Sequence, residues 1–233
     1  MFDAQIRPLI DPPLNAAGRR LARAGVSANA VTVGGFCVGM LACPAILGGQ
    51  FLLAALLIAV SRLADGLDGA IARATQKSDL GGFLDITLDF IFYGAVPLMF
   101  AILDPPANAL AAAVLLMAFF ANGTTFLAYA IMAERRKQET TAQGIKSIYY
   151  LAGLAEGFET IAFLILICLV PDWFNVLAYT YAGLCFLSAG SRLAMAATTL
   201  RDPQAPTQAS ARTPGAAPNE TEAEQAHGER LTD

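Results

Sequence analysis

Long apolar segments alternate with short polar breaks along most of this chain. The apolar segments cover residues 29–48, 50–74, 80–103, 107–133, 147–170 and 173–197. Each is close to the roughly 20 apolar residues with which a helix crosses a bilayer. Alternate breaks are turns rich in Gly or Pro: Gly48-Gly49-Gln50, Asp104-Pro105-Pro106 and Pro171-Asp172. The pattern predicts an all-α integral membrane protein with six transmembrane helices.

Composition favours the membrane interpretation over a soluble helical core. Hydrophobic residues make up 56% of the chain and charged residues only 15%, against about 25% charged in an ordinary soluble domain. A soluble protein of this composition would have too little polar surface to cover its apolar helices. No basic field of the kind that binds nucleic acid is present. The four cysteines lie inside apolar segments, where cysteine typically acts as a small hydrophobic residue.

The basic residues are distributed unevenly about the apolar segments. The three short turns contain no Lys or Arg, whereas the N-terminal segment and the longer connections carry them. These residues are Arg7, Arg19, Arg20, Arg23, Arg73, Lys77, Arg135, Arg136, Lys137, Lys146 and Arg201. Because basic loops stay on the cytoplasmic side, both termini are predicted there, at the inner membrane if the chain is bacterial.

Two segments flank the predicted transmembrane domain, which covers residues 29–200. Residues 1–28 form a juxtamembrane segment that contains a short amphipathic pattern. Its apolar face consists of Leu14, Ala17, Leu21 and Ala24. The pattern favours a helix on the inner membrane surface, and a plain cytosolic segment is the alternative. Residues 201–233 are rich in Pro, Ala, Thr and Glu, which predicts a disordered tail.

Four aspartates interrupt the apolar pattern. Asp65 and Asp68 are three residues apart near the end of the second segment, and Asp85 and Asp89 are four apart near the start of the third. Each pair therefore shares one face of a helix. Two antiparallel neighbouring helices joined by a short loop can direct both pairs to one point.

Such a cluster needs compensating positive charge. One ionised Asp near the bilayer centre costs about 2.5–3.5 kcal/mol, and only Arg62 and Arg73 lie nearby in the sequence. Carboxylate oxygens suit Mg²⁺ or Mn²⁺, which also bind substrate phosphates. Two such ions about 4 Å apart would hold a phosphoryl group for in-line displacement. The aspartates therefore predict a centre for two divalent ions.

Small residues accompany the aspartates on both helices. They are Gly66, Gly69, Ala70, Ala72, Gly81 and Gly82. Such residues allow two helices to pack closely, or they allow a flat nucleotide to lie against exposed backbone. The sequence is compatible with both interpretations.

The spacing of these residues resembles the signature of a known family. The pattern Asp65-x2-Asp68-Gly69-x2-Ala72-Arg73, followed by Gly81-x3-Asp85-x3-Asp89, is similar to that of the CDP-alcohol phosphotransferases. The stretch between Arg73 and Gly81 is one residue shorter than is usual in the family, and the difference falls in the predicted loop. The apolar segments and the N-terminal segment extend the resemblance to about residues 5–200.

The resemblance implies roles for the aspartates. Asp65, Asp68 and Asp85 would bind Mg²⁺ or Mn²⁺, with Asp89 as a further ligand. Asp89 would also be the catalytic residue, as the general base that accepts the proton of the acceptor hydroxyl.

The resemblance also implies a nucleotide side of the site. Gly69, Ala72 and Arg73 would border the cytidine diphosphate, with Arg73 pairing its phosphates. Asn29 and Thr32, at the start of the first segment, resemble a shorter family element on the same side. A homodimer is a further implication of the family.

Two intramembrane glutamates are candidates for the acceptor pocket. Glu156 and Glu159 lie three residues apart in the predicted fifth helix, and carboxylates within a membrane are usually functional. They would line the pocket, pair with Arg62 or Arg192, or contact a second subunit.

Basic and polar residues around the fourth and fifth segments are less specific. Arg135 and Lys146 would hold an acceptor phosphate or lie beside anionic lipid. Asn122, Thr124 and Thr125 are expected to form hydrogen bonds between helices.

The function that the resemblance implies is an enzyme of phospholipid biosynthesis. It would transfer a phosphatidyl group from CDP-diacylglycerol to a small polar alcohol and release CMP. A transferase that uses CDP-choline or CDP-ethanolamine, with diacylglycerol as acceptor, shares the signature. Membrane prenyltransferases resemble this chain less, since their aspartate motifs lie on well-separated helices and lack the Gly-x2-Ala-Arg element. Transporters typically contain inverted repeats, which this sequence does not show. A non-catalytic relative would be expected to have lost some aspartates.

Overall fold

The computed structural model describes residues 3–135 and 155–200, with side chains from residue 11 onward. Its helices are α1 (Asp3–Arg23), α2 (Ala28–Met40), α3 (Ala42–Leu47), α4 (Phe51–Ala74), α5 (Asp79–Leu103), α6 (Pro105–Arg135), α7 (Gly157–Leu169) and α8 (Phe174–Thr199). A 3-10 turn, Pro171–Trp173, joins α7 to α8. The described ranges contain no strand, which confirms the all-α prediction.

Several helices are long and apolar enough to cross a membrane. By length and composition these are Ala28–Leu47, which combines α2 and α3, together with α5 and α6. The pair α7 and α8 also passes when taken together, and it is bent by 115° at the turn between them. The protein is therefore a helical membrane protein with three or four candidate spans among its described residues.

The first apolar segment is interrupted, which its pattern did not predict. Helix α2 ends at Met40, and α3 begins at Ala42. Pro44 explains the break, because it has no backbone N–H to donate to the carbonyl of Met40. In the first turn of α3 that missing donor is tolerated.

The predicted turn at Asp104-Pro105-Pro106 is shorter than expected, because both prolines belong to α6. Proline suits the first turn of a helix, where backbone N–H groups have no intrahelical acceptor. The Asp104 carboxylate caps this turn by accepting a hydrogen bond of 3.2 Å from the N–H of Ala107.

The prediction that Glu156 and Glu159 both lie within a helix is wrong for Glu156. Helix α7 begins at Gly157, so Glu156 precedes it in an extended conformation. The backbone carbonyl of Glu156 accepts hydrogen bonds from both the N–H and the hydroxyl of Thr160, at 3.0 and 2.8 Å. The predicted segment 147–170 also includes residues 147–154, which lie outside the described residues.

Helix α4 lies at the centre of the bundle. It packs against α1, α2, α3 and α7, while α6 packs against α5 and α8. Stacked aromatic rings close the end of the bundle near the short turns. The Phe100 ring lies 5.9 Å from that of Phe51 and 4.7 Å from that of Phe174. The apolar core therefore occupies this end, and the aspartates of α4 and α5 lie toward the other.

Close packing around α4 depends on glycine. A Cβ atom at Gly18 of α1 would lie 2.6 Å from the Cβ of Ala70. One at Gly39 of α2 would lie 2.6 Å from the Ser61 hydroxyl oxygen. Because real Cβ atoms do not approach this closely, these glycines set the distances of α1 and α2 from α4.

Candidate metal centre

Consecutive helices build the acidic cluster. Asp65 and Asp68 lie on α4, and Asp85 lies on the second turn of α5. One carboxylate oxygen of each lies within 4.8 Å of those of the other two. The prediction that the helices direct these side chains to one point is confirmed for these three, which we call the carboxylate trio.

The connection between α4 and α5 sets the rotation of the second helix. It consists of residues 75–78, and its last residue, Ser78, caps α5. The Ser78 hydroxyl oxygen accepts a hydrogen bond of 3.0 Å from the N–H of Gly81, as an N-cap side chain does. This fixed start places Asp85 opposite the pair on α4.

The carboxylate trio fits a divalent cation. Its donors are all oxygen, the type that Mg²⁺ and Mn²⁺ prefer. Asp68 is only 6% exposed, and its buried Oδ2 atom has no hydrogen-bond partner among the described residues. A buried polar atom without a partner is costly, so a cation at this position would satisfy Asp68.

Asp89 has different surroundings from the trio. Its Oδ1 atom accepts a hydrogen bond from Nη1 of Arg62, and its Oδ2 atom accepts one of 3.0 Å from the Tyr93 hydroxyl. Arg62 also lies 3.6 Å from Oδ1 of Asp65. Asp89 is thus next to the trio, but both of its oxygens already have protein donors.

The residues predicted for the nucleotide side border the trio. Thr32 lies beside the Asp68 carboxylate, while its hydroxyl donates to the carbonyl of Ala28 at 3.1 Å. The Asn29 side-chain oxygen lies against Gly81, 2.9 Å from where a Cβ atom would be. Helix α2 therefore supplies polar groups to both halves of the site.

Arg73, at the end of α4, is held by the N-terminal helix. Its Nε and Nη2 atoms donate to Oδ1 of Asn15 at 3.3 and 3.0 Å. Its Nη1 atom lies 3.3 Å from the position of a Cβ atom at Gly69. Ala72, the remaining nucleotide candidate, is half-buried beside exposed Arg73. An exposed arginine beside a small residue leaves room for a phosphate group.

Sequence reasoning missed two residues of the site. Asn15 and Tyr93 were not candidates, although Tyr93 is four residues beyond Asp89 and so shares its helix face. Arg62, which the sequence offered both as a counter-charge for the aspartates and as a partner for the glutamates, binds Asp89 and Asp65. It lies three residues before Asp65 and so shares a face of α4 with it.

The acceptor candidates lie among α6, α7 and α8. Glu156 interacts electrostatically with Arg192, one of the two partners expected for the glutamates. Arg192 is buried and donates to the side-chain and backbone oxygens of Asn122. Arg135 is exposed at the end of α6. Lys146 lies outside the described residues.

Three polar residues of α6 were predicted to form hydrogen bonds between helices, and only one of them does so. Asn122 joins helices as predicted, since it also donates to the carbonyl of Ala155 at 2.9 Å. For Thr124 and Thr125 the prediction is wrong, because their hydroxyls donate to carbonyls of α6 itself. A threonine can bond the carbonyl four residues earlier without a neighbouring helix.

The fold and the aspartate site place this chain in a class of membrane transferases. Residues 26–191 match the CDP-alcohol phosphatidyltransferase family. The chain belongs to this family, which confirms the resemblance in its sequence. Members transfer a group from a CDP-alcohol donor to an alcohol acceptor in a membrane and generally depend on divalent metals.

Individual relatives cover the chain to different extents. It is 42% identical over 204 residues to the inner membrane protein YnjF of Escherichia coli K12, covering 88% of this chain and 99% of that protein. It is 42% identical over 87 residues to an archaetidylinositol phosphate synthase of Pyrococcus horikoshii. A synthase of the same name from Methanothermobacter thermautotrophicus is 36% identical over 93 residues. Each of these two matches covers 46% of the synthase. The Pyrococcus match includes 37% of this chain, and the Methanothermobacter match includes 40%.

Proposed function

We propose that this protein transfers a phosphatidyl group from CDP-diacylglycerol to a small polar alcohol and releases CMP. The observation that carries the proposal is the carboxylate trio, with the partnerless Oδ2 atom of Asp68, beside the family's nucleotide residues. A CDP-choline or CDP-ethanolamine transferase is the second candidate, since the same residues would serve it.

The reaction forms one oxygen–phosphorus bond and breaks another. The acceptor hydroxyl oxygen attacks the phosphorus next to the lipid, the bond to the CMP phosphate breaks, and the hydroxyl proton passes to Asp89. Bound divalent ions would neutralise the charge of the diphosphate and of the departing CMP. Asp65, Asp68 and Asp85 would hold these ions, Mg²⁺ or Mn²⁺ and two in number, with Asp89 at their border.

Nucleotide binding would involve the other signature residues. Arg73 would pair with the diphosphate, since an exposed guanidinium is a good phosphate ligand. Gly69 and Ala72 would leave space for the cytidine, and Asn29 and Thr32 would border it from α2. Positioning by these groups would provide much of the catalysis.

The membrane arrangement proposed is six spans with both termini and the site on the cytoplasmic side. Helix α4 has 24 residues and α8 has 26, each long enough to cross a bilayer. Helix α1 would pack one face against α4 and rest its other face on the cytoplasmic surface of the membrane. A homodimer is part of the proposal on family grounds.

The acceptor is proposed to be a small alcohol that carries a phosphate. The two archaeal relatives are named as synthases of archaetidylinositol phosphate, a lipid whose headgroup is an inositol phosphate. In this chain Arg135 and Lys146 would bind the phosphate, and Glu156 and Glu159 would face the polyol hydroxyls. Inositol phosphate and glycerol 3-phosphate are therefore the first acceptors to test.

The test measures CMP release by the purified protein in nanodiscs. With CDP-diacylglycerol and Mg²⁺ or Mn²⁺, we expect release that depends on one acceptor from a panel of inositol phosphate, glycerol 3-phosphate, inositol, serine and choline. EDTA should abolish it, and Asp89→Asn should reduce it by at least about 100-fold, since general bases typically contribute 10²–10⁴-fold.

Two outcomes contradict the proposal. Release only with CDP-choline or CDP-ethanolamine and diacylglycerol would favour the second candidate. No release with any donor, in protein that is folded by its thermal unfolding curve, would indicate a non-catalytic member of the family.

A further inference from the structure

Arg62 joins the two halves of the acidic site. Its Nη1 atom lies 2.5 Å from Oδ1 of Asp89 on α5 and 3.6 Å from Oδ1 of Asp65 on its own helix. Its Nη2 atom donates to the Ser61 hydroxyl at 3.2 Å, and its guanidinium lies 5.1 Å from the centre of the Phe92 ring. The side chain is therefore fixed from several sides and is only 15% exposed.

Arg62 divides the four aspartates into two kinds. Its partner Asp89 has both oxygens engaged, by Arg62 and by the Tyr93 hydroxyl. Asp68, by contrast, has a buried oxygen with no protein donor. The arginine of the signature, Arg73, is exposed and bonded to Asn15. The guanidinium of Arg62 thus supplies a buried positive charge directly at the cluster.

We propose that Arg62 is a positioning residue that competes with divalent cations for Asp65 and Asp89. Without a bound ion it neutralises these carboxylates and keeps the four charges from forcing α4 and α5 apart. With an ion bound it repels that ion, weakens its affinity, and holds Asp89 beside the trio as a base and not as a full ligand. The inference requires a metal at the trio, but it does not require the transfer reaction.

The physical basis is the low dielectric constant around the site. Two charges a few ångströms apart interact much more strongly in a protein site than in bulk water, where the dielectric constant is higher. A fixed guanidinium near a cation site should therefore lower the affinity for the ion and raise the stability of the metal-free protein. Both effects have the same origin and should change together when the charge is removed.

The experiment compares Arg62→Gln with the unmodified protein in detergent, using thermal unfolding and Mn²⁺ binding followed by electron paramagnetic resonance. In EDTA the variant should unfold about 5–10 °C lower, because it leaves two half-buried carboxylates without their cationic partner. Saturating Mn²⁺ should remove most of this difference. The dissociation constant for Mn²⁺ should fall by about fivefold or more.

Two further variants make the test specific. In the double variant Arg62→Gln/Asp89→Asn the stability in EDTA should recover, since the unpaired charge is gone. Arg192→Gln removes another buried arginine, which bonds Asn122 and not the aspartates. Its loss of stability should be the same with EDTA and with Mn²⁺.

Distinct results would overturn the inference. If Mn²⁺ binds the unmodified protein but Arg62→Gln changes neither the affinity nor the metal dependence of unfolding, Arg62 is not a competitor. A metal rescue of Arg192→Gln equal to that of Arg62→Gln would show general stabilisation by the ion. If the unmodified protein binds no Mn²⁺, the metal centre itself is wrong, and this inference falls with it.

Discussion

At the scale of single residues, the aspartates of α4 and α5 are not equivalent. Asp68 is nearly enclosed and has a partnerless oxygen, whereas Asp85 is exposed. A buried carboxylate beside two others is unfavourable unless a cation is shared among them. Asp68 should therefore be the residue on which metal binding depends most strongly.

Replacement of Asp68 by Asn should abolish both metal binding and transfer. We expect the affinity for Mn²⁺ to fall by about 100-fold and CMP release to fall at least as much, because an amide lacks the charge that the ion needs. Titration with Mn²⁺ and the CMP assay measure the two effects.

The matched control is Asp79→Asn, in the exposed first turn of the same helix as Asp85. It removes the same charge outside the cluster and should change both quantities by less than twofold. An equal loss in both variants would mean that the general negative field of the region, and not the trio, attracts the ion.

The sequence predicted the trio because helix periodicity relates Asp65 to Asp68 directly, and a short loop limits where α5 can lie. It could not predict the contact between Arg73 and Asn15, because these residues are separated by 58 positions. The pairing of Arg62 with Asp89 depends on the relative rotation of α4 and α5, which spacing within one helix does not determine.

At the scale of helices, small residues set the distance between neighbours. The sequence left open whether the glycines of the signature serve packing or a nucleotide. A Cβ atom at Gly66 would lie 2.9 Å from Cδ1 of Leu14 on α1. Gly66 therefore serves the packing of α1 against α4. Gly82 has open space around it, so there a ligand could approach the backbone.

Gly18→Val should separate α1 from α4. The new side chain would overlap Ala70, including its backbone carbon, 2.8 Å from the Cβ position. We expect the free energy of unfolding to fall by about 1–3 kcal/mol, as in overpacked cores. Thermal unfolding in detergent measures the change.

Gly34→Ala is the control for this variant, since a Cβ atom at Gly34 meets nothing within 4 Å. It should be neutral or slightly stabilising, because alanine favours the helix. If Gly18→Val were equally well tolerated, α1 would not be packed tightly against α4.

Asn122→Ala should loosen the junction of α6 with α8. It removes an acceptor of buried Arg192 and the donor to the carbonyl of Ala155. We expect a loss of about 1–2 kcal/mol in the free energy of unfolding, measured by thermal or denaturant unfolding.

Thr124→Ala, on the same helix, is the comparison for Asn122→Ala. Its hydroxyl is exposed and bonds only within α6, so the change should stay below about 0.5 kcal/mol. Equal losses in the two variants would show that polarity within α6, and not the contact with α8, is what stabilises the bundle.

At the scale of the whole molecule, the apolar core and the charged site lie toward opposite ends of the bundle. The aromatic stack lies near the short turns, and the aspartates lie toward the connection 75–78, which carries Lys77. Segment lengths predicted most of the described helices, but not the break at Leu41, which Pro44 explains, or the start of α7 at Gly157.

The proposed orientation can be tested by cysteine labelling. After Cys37, Cys43, Cys168 and Cys185 are replaced by Ala, Gln50→Cys should react with a membrane-impermeant maleimide in intact spheroplasts. Gln76→Cys should react only after permeabilisation, because basic residues retain that connection in the cytoplasm. The reverse pattern would place the site on the outer side.

The carboxylate trio lies on two consecutive helices, α4 and α5, with Arg62 on the first and Tyr93 on the second. This has a consequence for how the protein enters the membrane during synthesis. Helix α4 alone would bring its charged residues into lipid without the partners on α5, at a cost of several kcal/mol. Emerging together, the two helices can insert as a unit in which Arg62 already faces Asp89. The acidic cluster would then be assembled before the C-terminal half of the protein has left the ribosome.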